Sequence, residues 1–416
     1  MKRFWIILCL FAVLLAGCTS EEAVPPSGEL SPGLDYLRKE AVLYRHTASH
    51  KDLSFSAEEF RALTGKDTSY IVVSALPENG VLMLGGVAVL AGQTVPVSSL
   101  DLLKYVPAGQ TGEESFTFTA NAPGWEEREL SCVITVSQGE NYPPVTADVA
   151  GQTFESVVCF VPLRATDPNG DEVQYRITKY PQRGRVEILE GNAVYLPEEG
   201  FTGEDSFTYV ASDRYGNAAP AATVTFTVSE NDTGLYFEDL KDSPMHSTVI
   251  RLCADEVMTY RLEKGKYYFD PEKTVSKIDC LVMMMCLMGQ DEGVTAAADT
   301  EALDDKGLSS GKKGFLRNAI ATGWVYLEKG KFSPDSPVTV ADAVYMAMRM
   351  LGTPALSPKQ EFTDLNDTPA WACTALVSAD STGIWEASGG LLDASRVMTG
   401  EELARLFQNM RSYGKG

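Results

Sequence analysis

Thr202-Gly203-Glu204-Asp205-Ser206-Phe207-Thr208-Tyr209 repeats an earlier stretch, Thr111-Gly112-Glu113-Glu114-Ser115-Phe116-Thr117-Phe118. The offset of about 90 residues is the length of one small β-sandwich. Within each copy, polar and aromatic residues alternate. Phe207 and Tyr209 fall on one face of a strand, with Ser206 and Thr208 on the other, the pattern of a sheet with one face packed and one wet. Matching strand ends precede the copies, Tyr105-Val106-Pro107 and Tyr195-Leu196-Pro197, and alternating strands follow them, Cys132 to Val136 and Thr223 to Val228. Leu76 to Leu82 and Tyr180 to Val186, each with an internal glycine, read as corresponding turns. Two tandem sandwiches are therefore expected, over residues 43–139 and 140–231.

After Asn231 the periodicity becomes helical. Cys280 to Met288 is almost wholly apolar, too short to cross a bilayer and suited to a buried helix. One plan recurs three times, at about 235–290, 300–353 and 360–412. It begins Phe237-Glu238-Asp239, Leu303-Asp304-Asp305 and Phe362-Thr363-Asp364. Turns at Phe269-Asp270-Pro271 and Phe332-Ser333-Pro334 follow in the first two copies, and the third carries Ala370-Trp371-Ala372 and Gly383-Ile384. Each copy ends on a helix start, at Ser276-Lys277, Thr339-Val340 and Thr399-Gly400. Thr399 and Glu402 form a capping box, and Thr339 and Asp342 a partial one. The fold class expected is multidomain, β then α, with two sandwiches before a pseudo-threefold all-α unit spanning 232–416.

At the N-terminus, Lys2-Arg3 precedes an apolar run from Phe4 to Leu15 and then Ala16-Gly17-Cys18. A charged start, about a dozen apolar residues and small residues at the cleavage point describe an export signal. Residues 18–42, rich in Ser, Glu and Pro, read as a flexible spacer.

Three resemblances follow from these residues. Leu15-Ala16-Gly17-Cys18 resembles the bacterial lipobox, which implies cleavage after residue 17, lipidation of Cys18 and attachment to the outer face of the cell membrane. Asn141-Tyr142-Pro143-Pro144-Val145, the loop Asp167-Pro168-Asn169-Gly170-Asp171 and Asp213-Arg214-Tyr215-Gly216 resemble bacterial Ig-like and cadherin-like tandem repeats. Such repeats serve as spacers or adhesion modules, and some bind Ca²⁺. The threefold C-terminal plan resembles S-layer homology modules, which hold Gram-positive cell walls through acidic secondary wall polysaccharides. The cation of that family's Thr-Arg-Ala-Glu segment falls here on Lys277, Val340 and Gly400, so only the first copy keeps a positive charge. Lys cannot reproduce a bidentate Arg contact. The resemblance implies wall-polymer contacts from Lys277, Asp239, Asp364 and Trp371.

For Asp167, Asn169 and Asp171 two readings stand. They offer hard oxygen ligands at alternate positions, suited to Ca²⁺, with Glu155 and Asp213 as natural additions. The simpler reading is a Pro-Asn-Gly turn whose Asp side chains accept local amides. An EF-hand is excluded, because Glu172 and Thr178 stand where that loop needs Gly and Glu. The first sandwich lacks the loop, and no cofactor is required by either reading.

The 416 residues carry a formal charge of −22, which excludes nucleic acid as a partner. No HExxH, GxSxG, Walker loop or GxGxxG is present, so no enzyme is expected. Ser310-Gly311-Lys312-Lys313 matches SxxK by chance, in what reads as a polar loop. His46 and His50 read as a loop entering the first sandwich rather than a metal pair. Beyond Cys9 and Cys18, six cysteines remain, too sparse for a disulfide framework and expected as buried thiols. The function expected is a non-catalytic surface lipoprotein bridging membrane to wall, with polysaccharide or peptidoglycan as partner. The competing reading is an adhesion or ligand-binding protein whose helical unit is a scaffold.

Overall fold

The computed structural model describes residues 42–122, 128–291, 294–295 and 307–413. The export signal, Cys18, the spacer and Leu303-Asp304-Asp305 lie outside the described residues. The chain is β first and then α, with 24% helix. It divides into two compact units, with the break between Glu230 and Asn231.

The β unit holds both sandwich-like domains. In the first, β1 (Val42–Ala48), β9 (Glu129–Ser137), β8 (Gly112–Ala120), β3 (Tyr70–Ala75) and β6 (Thr94–Pro96) form one sheet in that order. The other sheet runs β2 (Leu53–Ser54), β7 (Leu103–Val106), β4 (Val81–Leu84), β5 (Val87–Ala88). A short helix, α1 (Ala57–Thr64), starts from a Ser56–Glu59 capping box. In the second domain β10 (Val145–Ala147) pairs with β13 (Arg164–Thr166), beside a sheet of β11 (Val149–Phe154), β18 (Ala222–Ser229), β17 (Gly203–Ser212) and β14 (Gln174–Lys179). The facing sheet is β12 (Cys159–Pro162), β16 (Asn192–Pro197), β15 (Gly184–Leu189). In both domains an early strand pairs parallel with the last one, β1 with β9 and β11 with β18. His46 is therefore in a strand and not in the expected loop, because β9 offers it a full ladder of partners.

The alternation of the repeated octapeptide holds. Phe116, Phe118, Phe207 and Tyr209 are fully buried, and Phe226 stacks on Tyr195 at 4.0 Å. A second device recurs with it. Tyr105 donates its hydroxyl to the Asn79 carbonyl at 2.8 Å, and Tyr195 donates to the Arg183 carbonyl and the Asp205 carboxylate. The ring must pass directly over a glycine, Gly80 in one copy and Gly184 in the other, where a Cβ would come within 2.7 Å and 2.4 Å of the ring. The acid of Thr-Gly-Glu-Glu/Asp then closes the same turn. Glu114 accepts the Asn79 N–H at 2.9 Å, and Asp205 accepts the Gln182 and Arg183 N–H groups at 3.0 and 2.8 Å.

The helical unit comprises α2 (His246–Ala254), α3 (Lys277–Leu287), α4 (Ser310–Thr322), α5 (Val340–Leu351), α6 (Ala370–Thr382) and α7 (Gly400–Tyr413), with a hairpin of β19 (Arg261–Glu263) and β20 (Lys266–Tyr268). Helix α3 packs on α4, α5 on α6 and α7 on α2. Ser310 opens α4 with Ser309 as its cap, rather than lying in a loop, because the Ser309 hydroxyl accepts the Lys312 N–H. The Thr339–Asp342 box is complete, each side chain taking the other's amide.

Three isolated bridges close this unit into a ring: Ser276 with Pro337, Thr339 with Val397, and Thr399 with Thr274. The first N–H groups of a helix have no partner within it. Here Lys277 and Ile278 donate theirs to the Ser336 and Pro334 carbonyls, Val340 and Ala341 to Arg396 and Ala394, and Gly400 and Glu401 to Lys273 and Pro271. Each repeat satisfies the helix start of another, and the third returns to the first.

His246 lies in the core of this unit, where its Nε2 accepts the Phe237 N–H at 3.1 Å and burial pushes its pKa down to about 4. The folded state keeps the ring neutral while the unfolded chain takes up a proton below its ordinary value. Stability should therefore be complete above about 6.5 and fall by roughly 3 kcal/mol as pH drops toward about 4, visible as a falling urea midpoint. Gly184→Ala should drive a methyl into the Tyr195 ring and lower the stability of the second sandwich by about 1–3 kcal/mol, read from the same titration.

Candidate functional site

The loop between β13 and β14 forms the expected turn. Gly170 takes φ +83° and donates to the Asp167 carbonyl, while Asp167 Oδ1 accepts the Asn169 N–H at 2.8 Å and the Asp171 N–H at 3.2 Å. That is the local-turn reading, and it accounts for one oxygen of Asp167. The other, Oδ2, is buried without a hydrogen-bond partner.

Asp213 arrives from the turn after β17 and is 1% exposed. It accepts the Tyr215 and Asn217 N–H groups at 2.9 Å each, the Asn217 side-chain amide at 2.8 Å, and the Asn141 side-chain amide. Asn141 Oδ1 is left buried and unbonded beside it. Carboxylate oxygens of Asp167, Asp171 and Asp213 lie within 4.8 Å of one another. The Asp171 pKa is raised, first by burial and then by the neighbouring Asp167 and Asp213 charges. Three crowded carboxylates and two orphaned buried oxygens form a donor set that fits a hard divalent cation, for which Ca²⁺ takes six to eight oxygens. Asp167, Asp171, Asp213 and Asn141 would hold it, and its charge would relieve the repulsion among them.

Asn169 belongs to the site differently from the sequence expectation. Its Oδ1 accepts the Tyr142 N–H at 2.8 Å and its Nδ2 donates to the Glu140 carbonyl at 3.1 Å, so it clamps the linker between the domains. Glu155 lies outside the acidic group, whereas Asp213 is inside it. Asn141 was legible only as part of the cadherin-like resemblance and not as a ligand.

The site sits where the two sandwich-like domains meet. Arg214 lies over the Tyr44 ring at 4.2 Å, Tyr215 donates to Thr135 Oγ1 at 3.1 Å and packs edge-on to His46, and Lys51 pairs with Glu140 at 2.7 Å. His46 Nε2 is 2.9 Å from Ser137 Oγ, and no histidine joins the acidic group.

In the helical unit, the residues expected to grip a polymer have other partners. Asp239 accepts the Phe269 and Asp270 N–H groups at 3.1 and 2.7 Å, and Asp364 accepts those of Leu392 and Asp393 at 2.9 and 2.8 Å. Asp270 and Asp393 are left-handed, with φ of 59° and 50°, and such turns present adjacent N–H groups that need an anion. Lys277 Nζ pairs with Asp342 at 2.9 Å across two repeats, both side chains mostly buried. Trp371 stacks on Tyr326 at 4.5 Å with planes 6° apart. Cys132, Cys159, Cys253 and Cys280 are buried free thiols, while Cys286 and Cys373 are partly exposed.

A family model for the bacterial cadherin-like domain matches residues 141–230, the domain that carries the acidic site. Among solved structures, human mucin-like protocadherin EC1-2 is similar at 11% identity and TM-score 0.20, over 45% of this chain and 95% of that one. Drosophila N-cadherin EC1-3 is similar at 14% identity and TM-score 0.22, over 47% and 66%. An endo-fucoidan hydrolase of glycoside hydrolase family 107 is similar at 21% identity and TM-score 0.18, over 45% of this chain and only 27% of its own. No curated protein matches the chain. Bacterial cadherin-like domains are typically extracellular and commonly bind calcium. Among the described residues no helix is long and apolar enough to cross a membrane.

Without an ion, the folded protein holds the Asp171 proton more tightly than the unfolded chain does. Stability then declines as pH climbs from the ordinary carboxylate value through the raised one, and a bound dication reverses that loss. Excess Ca²⁺ should raise the melting temperature by several degrees at neutral pH, about 2.7 kcal/mol at a hundredfold excess over Kd. The rise should shrink on acidification and vanish in Asp167→Asn, which keeps the turn oxygen but loses the charge; scanning calorimetry reads all three.

Proposed function

We propose that this chain is a non-catalytic protein of the bacterial cell envelope. Its sandwich-like domains form an arm stiffened by a divalent cation at their junction, and its helical unit grips an acidic wall polysaccharide. Lipid on Cys18 attaches the other end to the membrane, so that the wall contact becomes intramolecular and gains avidity. The observation that carries the polysaccharide reading is the closed ring, in which three helix starts are each completed by another repeat. That cyclic arrangement supports the S-layer-homology-like plan read from the threefold recurrence.

A second reading is favoured by a specific observation. Lys277, Asp239 and Asp364 are occupied by Asp342 and by backbone amides, as a scaffold would use them. On this view the sandwiches provide the adhesive surface and the helical unit only supports them.

Co-sedimentation of the chain with Gram-positive walls, intact and stripped of secondary polymer, separates the two. Binding to intact but not stripped walls is expected. No binding to intact walls removes the wall reading and leaves adhesion. Lys277→Ala should lower the stability of the helical unit by about 1–2 kcal/mol, because it leaves Asp342 unpaired, while leaving sedimentation largely intact.

A further inference from the structure

Two Asn-Gly pairs occur in the chain, Asn79-Gly80 and Asn169-Gly170, one in each sandwich-like domain. Such pairs are the chemically labile form of asparagine, because glycine has no Cβ to keep its amide nitrogen away from the preceding side chain. The fold restrains the two by different means. Asn79 is locked inside its own domain. Its N–H and its side-chain amide both donate to Glu114, at 2.9 and 2.7 Å, and its carbonyl accepts the hydroxyl of the buried Tyr105 at 2.8 Å. Gly80 lies against that same ring. Freeing the Asn79 side chain therefore means opening a turn that is built into the core.

Asn169 is exposed, and both of its side-chain bonds run to the linker, from the Tyr142 N–H and to the Glu140 carbonyl. The Gly170 N–H is turned to the Asp167 carbonyl at 3.1 Å. What keeps the linker in place lies across the junction. Arg214 stacks on Tyr44 at 4.2 Å, and the Lys51–Glu140 ion pair is at the surface. Asn169 is thus released by a movement between domains, whereas Asn79 is not.

We infer that Asn169 is a site of self-deamidation, governed by the junction between the two sandwich-like domains. When the linker lifts, the Gly170 nitrogen loses its proton and attacks Asn169 Cγ. The new C–N bond closes a cyclic imide, the bond from Cγ to Nδ2 breaks, and the side-chain nitrogen leaves as ammonia. Water then adds across one of the imide C–N bonds, giving aspartate or isoaspartate. Water is the only co-reactant. The change is irreversible and falls on the clamp itself. A carboxylate still accepts the Tyr142 N–H but has no N–H for the Glu140 carbonyl, and isoaspartate lengthens the backbone within the turn. It also adds a negative charge between Asp167 and Asp171. A junction that has opened long enough to react is therefore held less firmly afterwards, whatever the helical unit binds.

The test is peptide mapping by mass spectrometry of the full chain, incubated at mildly alkaline pH with a chelator so that no cation contributes. Conversion at Asn169 is expected to run about tenfold or more ahead of conversion at Asn79, since a linker opens more readily than a core turn. In urea the two rates should converge, because only the fold distinguishes the pairs. Arg214→Ala removes the stacking on Tyr44 and should speed conversion at Asn169 while leaving Asn79 as slow as before. Lys51→Ala, which frees Glu140 from a surface ion pair, should do the same more weakly. Asn169→Asp, which installs the product in advance, should melt at a lower temperature than the parent chain in chelator. Equal rates at the two asparagines in the folded chain, a difference that persists in urea, or a rate at Asn169 indifferent to both Arg214→Ala and Lys51→Ala overturns the site. An unchanged melting temperature in Asn169→Asp overturns the loosening of the junction.

Discussion

Backbone N–H groups in tight turns need acceptors, and in this protein carboxylates supply them again and again. Glu114 and Asp205 close the corresponding turns of the two sandwich-like domains, Asp213 closes the turn after β17, and Asp167 closes its own. Asp239 and Asp364 do the same for the left-handed turns of the first and third helical repeats. A buried amide left without a partner costs about 1–3 kcal/mol, and a carboxylate is the strongest acceptor a side chain can offer. The role of these six acids at the turns they close is therefore architectural. They keep turns of unfavourable backbone geometry in place without any ligand.

That same rule identifies where acidity exceeds architectural need. At the junction of the sandwich-like domains, Asp167 Oδ1 and both oxygens of Asp213 are occupied by amides, yet Asp167 Oδ2 and Asn141 Oδ1 are buried with nothing to bond. Burial first, and then the charges of Asp167 and Asp213, hold the Asp171 proton more tightly than usual. Turn closure explains none of those three facts. A hard cation explains all of them, and it would bind at the point where Asn169 already ties down the linker.

The helical unit follows the complementary logic. Its ring satisfies helix starts between repeats through backbone groups, so the fold tolerates wide variation of side chains even at those positions. Val340 and Gly400 stand where Lys277 does, and Gly311 and Pro244 stand where Trp371 does. Variation of this kind separates what the repeat needs from what one repeat adds. By that comparison the Lys277–Asp342 pair is a tie between repeats, and the Tyr326–Trp371 stack is, among the described residues, an addition at one groove.

From the residues alone came the octapeptide repeat, its alternation, the shift from β to helical texture, the capping boxes and the Asp-Pro-Asn-Gly-Asp loop. All of these are local, decided by propensity and spacing within about ten residues. The role of each acid was not legible, because an aspartate that bonds a backbone amide thirty residues away looks the same in sequence as one that awaits a ligand. The strand holding His46 and the helix opening at Ser310 were missed for related reasons: one depends on a distant parallel partner, the other on a serine cap in a polar run. Tertiary structure alone brought Asn141 and Asp213 to Asp167, paired Lys277 with Asp342, and stacked Tyr326 on Trp371. Those contacts are long-range, and only the closed ring and the meeting of two sandwich-like domains bring their partners together.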